Sequence, residues 1–177
     1  MRRGIWLLIA IILIALLFPF AQKARAESSY VLPYPSAMPG NFFYKIRILE
    51  EKIQYLWSFG SFSKFKYNQK YADKYLVEAK TLFEYKQYLL AIRALDKSDY
   101  FFSQMPKALS ESVMQKKDIT EKKDLFKKQS EKHIEILTSL NQILPETFLW
   151  QPESGNSEIL LLREQISKSN LIRKKAL

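Results

Sequence analysis

The sequence predicts an all-α protein, with helical hairpins plus one long lysine-rich helix, preceded by an extended proline-containing arm. Three observations carry that prediction. Beyond the N-terminal segment, glycine occurs only at Gly40, Gly60 and Gly155, and proline only at Pro33, Pro35, Pro39, Pro106, Pro145 and Pro152. Both residue types break or cap helices, and their positions leave segments at roughly 42–58, 62–85, 87–104, 107–144 and 156–175. Within these segments apolar residues recur three and four positions apart, the period of one helical face. Sustained alternation of Val, Ile and Thr with polar residues, the mark of a half-buried strand, does not occur.

Residues 1–26 read as a targeting segment. Arg2 and Arg3 precede an unbroken apolar run from Gly4 to Phe18, and Pro19 ends it. The run falls short of the roughly 20 residues a helix needs to cross a bilayer. Ala24-Arg25-Ala26 then fits the small-x-small rule of signal peptidase. We expect a signal peptide cleaved after Ala26, or else an uncleaved N-terminal single-pass anchor that contacts the membrane through residues 4–21. On either expectation the positive end stays inside and the rest of the chain lies outside the cytoplasm, secreted or in the cell envelope. The chain has no cysteine, which excludes a lipid-modified start, disulfides and thiolate metal sites. The targeting segment carries Arg2, Arg3, Lys23 and Arg25. The remainder therefore keeps 24 of the 28 Lys and Arg against all 18 Asp and Glu, a net charge of +6.

Residues 27–41 form the arm. Each proline also pushes the preceding residue into extended space, so "YVLPYPSAMPG" cannot be helical. Its apolar residues Val31, Leu32, Tyr34 and Met38 favour an arm laid across the helices over a bare spacer. Residues 42–106 are the expected aromatic-rich core, because all ten tyrosines lie between Tyr30 and Tyr100. Ile46, Leu49, Ile53 and Leu56 line one face of its first helix. Phe62, Phe65, Ala72, Leu76, Ala79 and Phe83 line the second, and Leu89, Ile92, Leu95 and Phe102 the third. Ala79 and Ala91 with Tyr88 between them read as a single hairpin ended by Pro106, not a solenoid, which needs at least three repeats.

Residues 107–177 read as a long charged helix, a loop and a C-terminal helix. Lysine pairs at 116–117, 122–123 and 127–128 thin out the apolar pattern of the long helix. Over 107–144 it would span about 57 Å, so its middle should project or bend. Asp118–Lys122 and Asp124–Lys128 are i,i+4 pairs that support it. Trp150 falls in the loop. Asn156 or Ser157 would cap the last helix, with Arg173, Lys174 and Lys175 in its final turn.

The stretches "LPYPSAMPGNFFYKIRILEEKIQYLW" and "KYADKYLVEAKTLFEYKQYLLAIRAL" resemble a family of exported all-helical bacterial proteins of unknown function. Its members carry an LPYPG-like arm after a signal segment, a Tyr-x-x-Lys-x-x-x-Glu-Lys-Ile helix and an Ala-rich hairpin. The matching residues are Leu32-Pro33-Tyr34-Pro35, Pro39, Tyr44, Glu51-Lys52-Ile53, Ala72 and Ala79, across residues 31–104. Ser36 stands where the family commonly has glycine, and Arg47 where it has lysine. The resemblance implies an extracytoplasmic helical domain and supplies no activity.

No constellation for catalysis, cofactor binding or metal binding is legible. His133 is the only histidine, set on a seven-residue seam with Ile119, Phe126 and Leu140, where packing or an interface is its expected role. There is no calcium loop, Gly-rich phosphate loop or Gly-x-Ser-x-Gly elbow. The one suggestive surface pairs a Tyr67, Tyr71, Tyr75 ladder with Lys66, Lys70 and Lys74 one position back. Aromatic faces beside ammonium groups suit anionic polymers, so these six residues form a candidate polyanion-binding face. Against it stands a plainer arrangement, in which the tyrosines flank the core stripe with their hydroxyls in water. The expected function is a non-enzymatic structural or protein-interaction domain of the bacterial cell envelope, binding an envelope protein or a second copy. The alternative is a polyanion- or membrane-surface-binding module that takes wall polymers or lipid headgroups through the Lys/Tyr face. Nucleic acid is not an expected partner outside the cell.

Overall fold

A computed structural model describes residues 29–35, 38–39 and 42–176. The expected targeting segment, residues 1–26, lies outside the described residues. The described chain is predominantly α: α1 (Phe42–Trp57), α2 (Ser61–Glu84), α3 (Tyr88–Met114), α4 (Thr120–Ile143), strands β1 (Thr147–Trp150) and β2 (Glu158–Leu161), then α5 (Leu162–Lys174). Gly60, at φ 82°, makes the turn from α1 into α2, a backbone conformation that side chains with a Cβ rarely adopt.

α2 and α3 pack along their length as the central hairpin, and α5 packs on α4 and α3. Buried Ala72, Ala79, Ala91 and Ala94 let the α2 and α3 backbones approach closely. One core cluster joins Leu76 and Phe83 of α2 to Leu95 of α3, Leu137 and Leu140 of α4, and Leu162 and Ile166 of α5. A second joins Phe65 and Ala72 to Phe102, Met105 and Leu109, with Phe126 of α4.

The core therefore differs from the expected one. It draws on α4 and α5 as much as on the tyrosine-rich half, and among the described side chains of α1 no apolar residue is buried. The expected boundary at 106/107 falls inside α3, which runs through Pro106 to Met114. Pro106 is exposed, and the helix continues past its missing donor with Ala108 and Leu109 buried on the far side. The expected single helix over 107–144 is interrupted at residues 115–119 and folds back. Lys116 sits at φ 55°, with Lys117 N–H bonded to the Ser112 carbonyl at 3.0 Å and Lys116 N–H to Val113 at 2.9 Å. That pattern is a Schellman helix stop made without glycine. Asp118 then accepts from the Thr120 N–H at 2.9 Å at the start of α4, and Lys122 pairs with Glu121 rather than Asp118. The Asp124–Lys128 pair forms at 2.8 Å.

The expected helix start at Asn156–Ser157 is replaced by β2, whose Glu158–Leu161 pair antiparallel with Trp150–Thr147. Leu160 reaches the core between two exposed neighbours, a two-residue alternation too brief to be read from sequence. Trp150 lies in β1 and packs on the main core cluster.

Candidate interaction surface

The arm is tied down at its start. The Tyr30 hydroxyl donates to Asp73 Oδ2 at 2.5 Å, and Gln69 Nε2 donates to the Tyr30 oxygen at 3.0 Å. Burial, followed by the Asp73 carboxylate, pushes the Tyr30 phenol well above its ordinary range. Leu32 and Met38 pack against the main core cluster, while Val31 and Tyr34 are exposed.

Beneath Tyr30 lies a polar cluster that the sequence reading missed. Asp73 accepts from Gln129 Nε2 at 2.6 Å and bonds His133 Nε2 at 2.7 Å. Arg173 pairs with Asp99, bonds Ser98 Oγ at 2.8 Å and reaches His133 Nδ1 at 3.5 Å. The cluster thus clamps α2, α3, α4 and α5 together. Burial holds the His133 imidazole below its usual pKa. The ring is fully buried between the Asp73 carboxylate and the Arg173 guanidinium. Its expected packing role is the one its surroundings support. A signal was present in the sequence: Arg173 follows Leu162, Ile166 and Ser169 at spacings of four, three and four, on the core face of α5. Arg173 occupies the last turn of α5, as its expected place among the helix-end cations requires, but with its head inside.

The six residues of the expected Lys/Tyr face lie together on α2, but α1 covers most of them. Tyr75 donates to Glu51 Oε2 at 2.5 Å and Tyr71 to Gln54 Oε1 at 2.9 Å. Tyr67 donates to the Glu51 carbonyl at 3.2 Å. Lys74 pairs with Glu51, and Lys70 donates to Gln54 Oε1 at 2.9 Å. Of the six, Tyr71 and Tyr75 are buried, Tyr67 and Lys74 are half-buried, and Lys66 and Lys70 are exposed. Burial and the nearby Glu51 push the Tyr67 phenol up to about 12, and the Tyr71 and Tyr75 phenols beyond the usual tyrosine range. The ladder is a seat for α1. Its rings are also backed by α3, where Phe101 stacks on Tyr75 with centroids 5.8 Å apart. Between α1 and α3 remains an open groove of about 910 Å³, lined in part by Tyr55, Tyr67, Tyr100 and Phe101.

This seating turns α1 around. Its polar residues Tyr44, Glu51 and Gln54 face the bundle, with the Tyr44 hydroxyl donating to Glu78 at 3.0 Å. The apolar stripe expected to enter the core points outward instead. Ile46 is 43% exposed, Leu49 59%, Ile53 47% and Leu56 66%, and Trp57 beside them is 78% exposed. Monomeric proteins rarely leave a contiguous apolar face of this kind open, so the stripe is the candidate site.

A family described as a domain of unknown function, DUF5667, matches residues 36–147. The chain belongs to the DUF5667 family. The match runs from the arm through α1, α2, α3 and α4, so both the seat and the stripe lie within the DUF5667 domain, while β2 and α5 lie beyond it. No curated protein and no solved structure matches the chain. Among the described residues no helix is long and apolar enough to cross a membrane, and no group of three or more His, Asp or Glu is placed to hold a metal ion.

Proposed function

We propose that the chain is a non-enzymatic interaction domain of a bacterial cell envelope, exported from the cytoplasm and docking a protein partner through α1. The observation that carries this reading is the orientation of α1. Polar side chains bind it to its own bundle, and its apolar stripe is left for something else to cover. The N-terminal apolar run with its Ala24-Arg25-Ala26 site, and the proline-containing arm after it, support the location. A polyanion site on the Lys/Tyr ladder is not favoured, because α1 occupies Lys70, Lys74, Tyr71 and Tyr75.

The absence of cysteine makes one experiment test both parts. Single-cysteine variants at exposed Ser167 on α5 and at Leu49 on the stripe are treated with a membrane-impermeant maleimide on spheroplasts. Ser167→Cys should label without lysis, and Leu49→Cys should label on the order of tenfold more slowly because its partner shields it. Labelling of Ser167→Cys only after lysis would overturn the location. Rapid labelling of Leu49→Cys would overturn the docking role.

A further inference from the structure

α1 reads as two heptads of a coiled coil. With Ile46 at position a, Leu49 falls at d, Ile53 at the next a and Leu56 at the next d. A β-branched residue at a with leucine at d is the combination that favours two parallel strands over higher oligomers. The flanking positions agree, with Lys45 and Lys52 at g and Glu50 and Trp57 at e. In a parallel pair each g residue meets the partner's e residue five positions further on. Lys45 then faces Glu50 of the partner subunit, and Lys52 faces Trp57 of the partner subunit, an ammonium beside an indole. Twofold symmetry makes each contact twice. Antiparallel pairing would bring g against g, setting Lys45 against Lys52 of the partner subunit. The charge pattern thus selects both a partner and a direction.

The structure supplies the other half. The a and d side chains are the outward ones, and Lys45, Glu50 and Trp57 are exposed beside them. The f residues Tyr44 and Glu51 and the b residue Gln54 are held by α2. Each bundle therefore lies on the far side of its own α1, clear of a symmetry axis that runs along the seam. Two heptads are too few for a free peptide to pair. Here α1 is already folded and oriented by its polar bonds, so association need not order it.

We propose that a second copy of this chain covers α1, forming a parallel two-stranded coiled coil through Ile46, Leu49, Ile53 and Leu56. This rests on the reading of α1 as a docking element and names its partner.

The test uses the exported protein. Leu49→Cys alone should cross-link to a disulfide dimer under mild oxidation, since d meets d across a parallel seam. Lys45→Glu and Glu50→Lys should each weaken the dimer on the order of fivefold, and the double exchange should restore it. Ile53→Glu should abolish the dimer with unchanged helix content by circular dichroism, because α1 is held by its other face. Cross-linking only in a mixture of Leu49→Cys with Ile53→Cys would mean antiparallel pairing and overturn the proposal. A single-chain mass at high concentration would also overturn it. If Leu49→Cys is then still shielded on spheroplasts, the docking role survives with a different partner; if it labels freely, both readings fall. Flotation with phosphatidylglycerol vesicles, lost in Ile53→Glu and without a dimer, would overturn it in favour of a lipid surface.

Discussion

At the scale of single residues, Arg173 governs the stability of the described domain. Its guanidinium is buried and shared between Asp99, Ser98 and the His133 ring. Arg173→Met strands the Asp99 carboxylate among buried groups and should cost about 3–5 kcal/mol by denaturant unfolding, whereas replacing Asp99 as well with an apolar residue should recover much of that loss. His133 sets a pH dependence whose sign follows from its surroundings. Burial depresses its pKa below the ordinary 6.5, so below that pH the unfolded chain takes up a proton that the folded chain resists. Its contribution to stability is fully present above pH 6.5 and is lost as pH falls from there through the folded pKa. Denaturant midpoints between pH 7.5 and 5 should fall for the wild-type protein and lose this component in His133→Gln. Both residues carried a legible trace, a charged or titratable group on an apolar face. What sequence could not supply was the partner, since Asp73 and His133 are sixty positions apart and meet only through the packing of α2 on α4.

At the scale of elements, the helix breaks show why periodicity reads some boundaries and misses others. The turn after α1 contains Gly60 and was legible. The turns after α2 and α3 use Lys86 at φ 60° and Lys116 at φ 55°, each closed by paired backbone bonds; the first falls at the expected break between 62–85 and 87–104, but at the second a lysine does not announce a left-handed conformation. The stop at Lys116 was therefore absorbed into one long expected helix. The strain is testable: Lys116→Gly removes the Cβ penalty and should stabilise the protein by about 1 kcal/mol, raising the thermal midpoint by several degrees. α1 illustrates the complementary limit. Its 3-4-3 apolar spacing identified the helix and the stripe, but spacing has no sign. Whether that stripe faces in or out depended on Glu51 and Gln54 finding tyrosines and lysines on α2.

At the scale of the whole molecule, the helical class was legible because the apolar period is long and seldom interrupted. The division into an aromatic core and a charged remainder was not, because tyrosine count measures potential burial and not where burial occurs. Leu76, Leu82 and Leu95 share one cluster with Leu137, Leu140 and Ile166, so a fragment ending at residue 106 would leave that cluster without its α4 and α5 members. Leu140→Lys places a charge inside that shared cluster and should cost about 2–4 kcal/mol. Since Leu140 lies in the same cluster as Leu162 and Ile166 of its own chain, solution mass should not change at temperatures where the variant stays folded. Calorimetry and light scattering on one sample would check both outcomes.

The bond between Tyr30 and Asp73 also has a mechanical consequence. A pull on the chain upstream of Tyr30 enters the bundle at Asp73 and passes through His133 and Gln129 into the middle of α4. α1 lies downstream of that entry point and upstream of α2, off the load path while the Tyr30 bond holds. A domain tugged by its leading end would thus keep α1 seated until the Tyr30 anchor fails. Tyr30→Phe removes that anchor, so that once the Leu32 and Met38 packing gives way α1 comes into series with the applied tension. In single-molecule stretching between the N-terminus and α5, that variant should show an early, low-force extension as α1 peels from its seat, and the wild-type chain should not.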